Sequence, residues 1–188
     1  DWGGHYYTGF VQHDLDTGID VLFDEVISDN VQDVEHLERV CDRLRSKWGL
    51  SRRDVARFYC DAQPHTAVRL AYSPRYFPGR VLKRRMTEQI KRSGIEAVKH
   101  RLRDADGHRR FFLAPALVHE KSRGMYRSLQ AYSYKKRMLQ GRETYTSRVN
   151  QDAWPSHAVD ALRYYIGYRY RFQTIREKVV GSNQREAT

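Results

Sequence analysis

His5-Tyr6-Tyr7-Thr8-Gly9-Phe10-Val11-Gln12-His13, then Asp16-Thr17-Gly18, then Ile19-Asp20-Val21-Leu22-Phe23-Asp24-Glu25-Val26-Ile27 is the stretch that decides the fold. Its two flanks are rich in aromatic and β-branched residues, which favour strands. Asp16-Thr17-Gly18 has turn chemistry, so 5–13 and 19–27 are expected as the arms of a β-hairpin. Moving outward, Ser28, Asp29 and Asn30 are candidate helix N-caps. Val34, Leu37, Cys41, Leu44 and Trp48 then recur at helical spacing, and Gly49 suits the position just past the helix end. Val55 to Cys60 reads as a short strand. Pro64 can open a helical turn, Pro74 and Pro78 interrupt regular structure beyond it, and Val81-Leu82 suggests another short strand. Thr87 to Arg103 reads as an amphipathic helix with Ile90, Ile95, Val98 and Leu102 inward. A loop over 104–107 leads to Phe111–Val118, expected as a strand despite Pro115. Ser122 to Leu139 is expected as a helix carrying Met125, Leu129, Tyr132 and Met138. Gly141 to Asp152 reads as a polar loop or small hairpin, and Pro155 to Phe172 as the last long helix. Hairpin strands followed by strands separated by helices predict an α/β fold, a mixed β-sheet with helices on both faces.

The chain has 188 residues, 40% of them apolar, which suits one domain over 1–175 with a polar, flexible tail over 176–188. Lys and Arg number 34 against 23 Asp and Glu, a net charge of +11. That excess points to a polyanionic partner, nucleic acid first. A membrane is not expected: there is no helix with a clean Lys/Arg face, no lipidation motif, no signal-peptide pattern, and no apolar run of spanning length. Cys41 and Cys60 lack metal-ligand spacing and read as small buried hydrophobes of a reducing compartment. No G-x-x-x-x-G-K-[ST] phosphate loop is present, so no ATPase site is expected.

Asp1, Asp61 and Asp160 are the candidate functional carboxylates. Asp1 opens Asp1-Trp2-Gly3-Gly4 before the hairpin. Asp61 ends the apolar run Val55-Ala56-Arg57-Phe58-Tyr59-Cys60, at a strand end where ligands of α/β sheets gather. Asp160 lies near the start of the last helix, where the macrodipole favours an acid. Ala158, Ala161, Leu162 and Tyr165 share that helix's buried face, and His157 and Asp160 project along an adjoining stripe. Gathered carboxylates repel one another unless a hard divalent cation bridges them, and Mg²⁺ is held this way. Plainer roles are open to the same residues. Asp61 can be a turn or cap residue, Asp160 a first-turn acid paired with Arg163 or Tyr164, and His157 a hydrogen-bonded structural residue.

His157, Asp160, Ala161, Arg163 and Tyr164 form an H-x-x-D-A-x-R-Y pattern. It resembles the C-terminal signature of the nuclease domain of viral (tailed bacteriophage) large terminase subunits. Asp1-Trp2-Gly3 resembles that family's first-strand acid, and Tyr59-Cys60-Asp61 its second strand-end acid. With the stretch from Thr87 to Leu139, the resemblance covers nearly the whole chain. It implies a ribonuclease H-like three-layer fold, a central mixed sheet flanked by helices. It implies an endonuclease that cuts concatemeric viral double-stranded DNA during genome packaging, using Mg²⁺ or Mn²⁺. Asp1, Asp61 and Asp160 take the acidic ligand positions, and His157 takes a position filled by His in some members. Implied partners are an ATPase motor domain, a small terminase subunit and a portal, in the host cytoplasm. The motor is not in this sequence, and much of the family's first strand would precede Asp1. The expected chemistry is two-metal hydrolysis, with Asp1 bridging both ions and Asp61 and Asp160 each completing one sphere.

Lys83, Arg84, Arg85, Lys91, Arg92, Lys135, Lys136, Arg137, Arg142 and Arg148 are candidate phosphate contacts, against the plainer role of solvated surface charge. Phosphate contacts position DNA without reading it, so weak sequence preference and steep salt dependence are expected. Tyr164, Tyr165, Tyr168 and Tyr170 crowd the last helix, where packing is favoured over base stacking. Competing readings are a ribonuclease H-like resolvase or recombinase on branched DNA, a non-catalytic DNA-binding or motor-docking module, and a basic adaptor.

Overall fold

The computed structural model describes residues 4–61, 75–77, 81–84, 88–118, 123–132, 134–139, 142–149 and 155–170; of these, 4, 61, 81–84, 88–92, 134–139, 142–149 and 155–156 are described by their backbone. The expected Pro64 turn, the Pro74 and Pro78 breaks and the 176–188 tail lie outside these residues. The elements are β1 (Gly4–His13), β2 (Asp20–Val31), α1 (Asp33–Trp48), β3 (Phe58–Asp61), β4 (Val81–Arg84), α2 (Glu88–Leu102), β5 (Phe111–Leu113), a 3₁₀ turn (Pro115–Leu117), α3 (Met125–Ala131), β6 (Tyr134–Leu139), β7 (Arg142–Val149) and α4 (Pro155–Arg169). The result is a mixed α/β fold. A three-stranded sheet runs β1-β2-β5, antiparallel between β1 and β2 and parallel between β2 and β5. Among the described residues, β3 pairs in parallel with β4 and β6 antiparallel with β7, each as a separate pair rather than within one central sheet.

The hairpin forms where its composition predicts. Gly18 takes a left-handed φ of 67°, which glycine adopts without strain, and the Asp14 carboxylate accepts from the Thr17 hydroxyl at 2.6 Å and the Asp16 N–H at 3.0 Å. One irregularity matters more than the turn. Phe10 faces Asp24 but Val11 faces Leu22, so Phe23 is an extra residue in β2, a β-bulge. Side-chain parity changes across it. On one side of the bulge, Val26 packs with Phe10, Leu37, Val40, Leu44, Tyr76 and Phe77 in a cluster built around α1. On the other, Leu22 joins Val98, Phe111, Leu117, Met125, Ala158, Leu162 and Ile166, supplied largely by α2, α3 and α4. Cys41 and Cys60 are half-buried, not joined in a disulfide, and packed against the α1 cluster.

Several sequence-based expectations are corrected. Ser28, Asp29 and Asn30 do not cap α1, because β2 continues to Val31 and Gln32 takes the N-cap position without a side-chain bond. Asp33 and Glu35 in the first turn supply the negative charge that this end favours. At the other end, Gly49 has φ 63° and its N–H reaches the Arg45 carbonyl, as its composition predicts. Phe111–Val118 is not one strand: Ala114 N–H bonds the Leu22 carbonyl at 2.9 Å, and Pro115, which has no N–H to give a ladder, opens the 3₁₀ turn instead. The helix expected over 122–139 is only α3. Its second half is β6, whose ladder with β7 overrides the weak helical periodicity that placed Met138 on a helix face. The 141–152 loop is in the main β7. Glu25 pins the start of α3. Its carboxylate accepts from Met125 N–H at 2.9 Å and Tyr7 hydroxyl at 3.0 Å, and a Cβ on Gly124 would overlap it.

Two buried polar groups tie the layers together. Asp20, with no exposed surface, accepts from Tyr165 at 2.5 Å, Tyr170 at 2.6 Å and Arg101 at 2.7 Å, and lies 2.8 Å from His13 Nδ1. Arg101 also donates to the Gly18 carbonyl at 2.5 Å and lies over the Tyr170 ring, 4.1 Å from its centre. Burial and the anionic Asp20 push the Tyr165 phenol far above its ordinary range and that of Tyr170 up to about 12. On the α1 side, His36 bridges Thr8 Oγ1 at 2.8 Å and Ser28 Oγ at 3.0 Å, with its ring stacked on Tyr6. Burial, then the Arg39 charge, pulls its pKa from 6.5 to about 4, so it is neutral at pH 7.

Asp20→Ala leaves Arg101 charged and unpaired inside the protein and is expected to cost about 3–5 kcal/mol. Tyr165→Phe removes one bond to a charged acceptor and should cost about 1.5–3 kcal/mol. A urea midpoint for Asp20→Ala equal to that of the unmodified chain would show that the cluster holds nothing together. His36 has a folded-state pKa below its unfolded one, so the unfolded chain takes up the proton first as pH falls. Its contribution is complete above about pH 6.5 and is lost progressively towards about pH 4. The loss should approach about 3 kcal/mol, and His36→Gln should flatten that part of the stability–pH curve.

Candidate active site

Helix α4 organises this region. At its start the His157 ring lies 6.4 Å from the His5 ring, and at its end Tyr170 lies 6.3 Å from His13. His5 and His13 sit near opposite ends of β1, so α4 runs alongside that strand in the same direction. Tyr59 of β3 meets α4 too, edge-on to Tyr165 at 5.3 Å and tilted to Tyr168 at 5.8 Å. One helix therefore touches both strands associated with the sequence-predicted acids. The small Ala158 is buried at this interface and the half-buried Ala161 flanks it, permitting close approach. The tyrosines of the helix are mostly packing groups, as expected.

The predicted residues fare differently. Asp1 lies outside the described residues, three before the first residue of β1. Asp61 is the last residue of β3. His157 is exposed in the first turn of α4. Asp160, three residues on, is partly buried with its side chain 20% exposed, and accepts from the guanidinium of Arg163, which is 1% exposed. The plainer role weighed for Asp160, pairing with Arg163, is thus real. Of the basic candidates, Lys83 lies within β4 rather than after it, paired in register with Cys60, and Arg84 is paired with Asp61. Arg85 lies outside the described residues. Arg142 and Arg148 belong to β7, and Lys135, Lys136 and Arg137 to β6, so five basic residues share one antiparallel ribbon shortly before α4.

Sequence reasoning missed a group beside His157. His5 Nδ1 lies 2.7 Å from the Asp29 carboxylate, whose other oxygen accepts from Arg123 at 2.8 Å. In sequence Asp29 reads as a helix cap instead. The available signal was parity: His5 alternates with Tyr7, which packs towards α4, and so belongs on that face.

A different set of side chains could hold a metal ion. Asp104, Asp106 and His108, on the loop after α2, place their ligand atoms within 4.8 Å of one another. None of the residues expected to bind metal is among them. The loop adjoins Arg110, whose carbonyl accepts from Asp20 N–H, so it lies at the turn end of the hairpin, away from His5 and His157. Partial burial works against ionisation of Asp104, but the N–H groups of His108 and Asp106 outweigh it and hold the carboxyl below its usual range. The N–H bonds identify Asp104 as a turn-forming residue in its own right.

Because Arg163 is buried, Asp160→Ala is expected to cost about 3–5 kcal/mol, whereas Asp160→Asn keeps an acceptor and should cost less. Equal thermal midpoints for the two variants would show that Arg163 does not depend on Asp160. No family model, no curated protein and no solved structure matches the chain.

Proposed function

We propose that this chain is the nuclease domain of a viral large terminase subunit, with a ribonuclease H-like fold, cutting concatemeric double-stranded DNA during packaging. The observation that carries the reading is the position of α4. It brings His157 beside His5 at the start of β1 and packs on β3, so the helix bearing Asp160 touches the strand that ends in Asp61 and the strand that begins three residues after Asp1. Mg²⁺ or Mn²⁺ would be held by Asp1, Asp61 and Asp160, with His157 beside them. The donor chemistry fits, since carboxylate oxygens suit both ions and imidazole suits Mn²⁺ better than Mg²⁺. Two such ions activate water and stabilise the leaving oxygen. The chain's own residues would do the rest: Asp1, Asp61 and Asp160 would hold the ions, and His157 would orient groups beside them. Lys83 and Arg84, in register with Cys60 and Asp61, and Arg142 and Arg148 in the β6–β7 ribbon would hold phosphates. No helix of the described residues is long and apolar enough to cross a membrane, and the implied setting is the host cytoplasm, with motor domain, small subunit and portal as partners.

One observation favours a second reading. Asp160 serves buried Arg163, as it would in a non-catalytic DNA-binding module. Mn²⁺-dependent cutting, rather than Mn²⁺ binding, separates the two, since the Asp104/Asp106/His108 loop could take up the ion in either case. The deciding experiment is Asp61→Asn, chosen because Asp160 variants disturb the fold. It should abolish Mn²⁺-dependent cutting of linear duplex while leaving the circular dichroism spectrum unchanged. Undiminished cutting would reject the assignment, and preference for four-way junctions over linear duplex would favour a resolvase. With about four phosphate contacts, raising salt from about 50 to 200 mM should weaken duplex binding roughly 150-fold.

A further inference from the structure

His5 is held in a way that the nuclease reading does not use. Its Nδ1 lies 2.7 Å from one oxygen of Asp29, and Arg123 secures the other oxygen at 2.8 Å. Asp29 is itself partly buried, with 31% of its side chain exposed, while His5 is about half exposed at 48%. A carboxylate on one ring nitrogen fixes the tautomer: Nδ1 carries the proton, and Nε2 is left with a lone pair. Metal-binding histidines are characteristically arranged this way, with the second nitrogen bonded to a carboxylate that orients the ring and raises its basicity. The neighbour of this ring is another imidazole, exposed His157, at 6.4 Å between centres and tilted by 39°. Two imidazoles on one ion, each bonded at about 2.1 Å, stand roughly 5 Å apart between ring centres. Closing the gap by about 1 Å is within a side-chain rotation of His157.

We propose that His5 and His157 form a bis-imidazole site for a divalent transition metal ion, with Asp29 and Arg123 as the residues that position His5. The place of this ion beside the phosphodiester-cutting centre rests on the nuclease reading above. The binding of metal by the pair does not. Nitrogen ligands set the selectivity: imidazole suits Ni²⁺, Zn²⁺ and Fe²⁺, whereas oxygen ligands suit Mg²⁺. A site with two ring nitrogens should therefore bind Ni²⁺ far more tightly than Mg²⁺. Asp160, one turn along the same helical stripe, is the nearest carboxylate on α4 that could complete it.

The test is calorimetric titration with Ni²⁺, and separately with Mg²⁺, of the full chain carrying His108→Asn. That background silences the Asp104/Asp106/His108 loop, which could otherwise take up the probe. His5→Gln and His157→Gln should each lower Ni²⁺ affinity at least tenfold, and His5→Gln should leave any Mg²⁺ binding unchanged. Asp29→Asn, which keeps His5 but loosens it, should lower Ni²⁺ affinity about tenfold, the usual effect of losing an orienting partner. Unaltered Ni²⁺ affinity in a folded His5→Gln variant overturns the proposal. DNA cleavage is read on the same samples. A chain that binds Ni²⁺ through the pair but cuts no DNA with any divalent ion upholds this site and rejects the nuclease reading. Cutting with Mg²⁺ alongside histidine-independent Ni²⁺ binding does the reverse.

Discussion

The ion pair between Asp20 and Arg101 is the constraint on which the second half of the molecule depends. A carboxylate with no exposed surface is tolerable only when paired and fully hydrogen-bonded. Asp20 meets that demand with groups from three elements: Arg101 from α2, Tyr165 from α4 and His13 from β1, together with Tyr170 just beyond α4. Together they fix α2, α4 and β1 to the first residue of β2. The pair is weak evidence for net stability, because desolvation offsets much of its attraction, but strong evidence for register. A slip of one residue in β2 would leave both charges buried and unpaired.

The bulge at Phe23 makes this possible. With an unbroken alternation, Asp20 and Leu22 would face the same side as Asp24 and Val26, towards α1. The extra residue turns Asp20 and Leu22 towards α2 and α4, while Asp24 stays on the α1 side. There Asp24 meets Lys47 at 3.1 Å and the Trp48 indole at 2.7 Å, stapling the end of α1 to the sheet. One strand thus carries two buried acids on opposite faces, each securing a helix.

The hairpin, α1 with its Gly49 stop, α2 and α4 were legible in sequence because composition and periodicity agreed at each, even though Ser28, Asp29 and Asn30 gave a false start signal for α1. The stretch from Phe111 to Val149 was not. A three-residue strand is fixed by the partner it meets, here β2, and carries no period of its own. Likewise α3 and β6 read together as one helix, because Met125, Leu129 and Tyr132 keep helical spacing up to the point where the β7 ladder takes over. At the candidate site, the H-x-x-D stripe was legible because His157 and Asp160 lie on one helix. The His5–Asp29–Arg123 group joins residues 24 and 94 positions apart in sequence, and only the folded chain brings it together. The Asp20 cluster hid for the same reason, its longest link spanning 150 positions.

Asp160 carries two demands. Arg163, three residues on and almost wholly buried, needs a carboxylate whether or not the chain has an activity. This does not bar Asp160 from a metal. An ionised carboxylate has about four lone-pair directions, and a guanidinium takes only some of them. The cost is electrostatic. A buried cation beside Asp160 cancels most of the negative charge that acid would offer a divalent ion. Part of the attraction for a metal must then come from other groups, and neutral ligands such as imidazole bind metal without needing net charge. A pair of histidines on the helix that carries the half-neutralised aspartate and on the adjoining strand would meet that balance, and His5 lies 6.4 Å from His157 between ring centres.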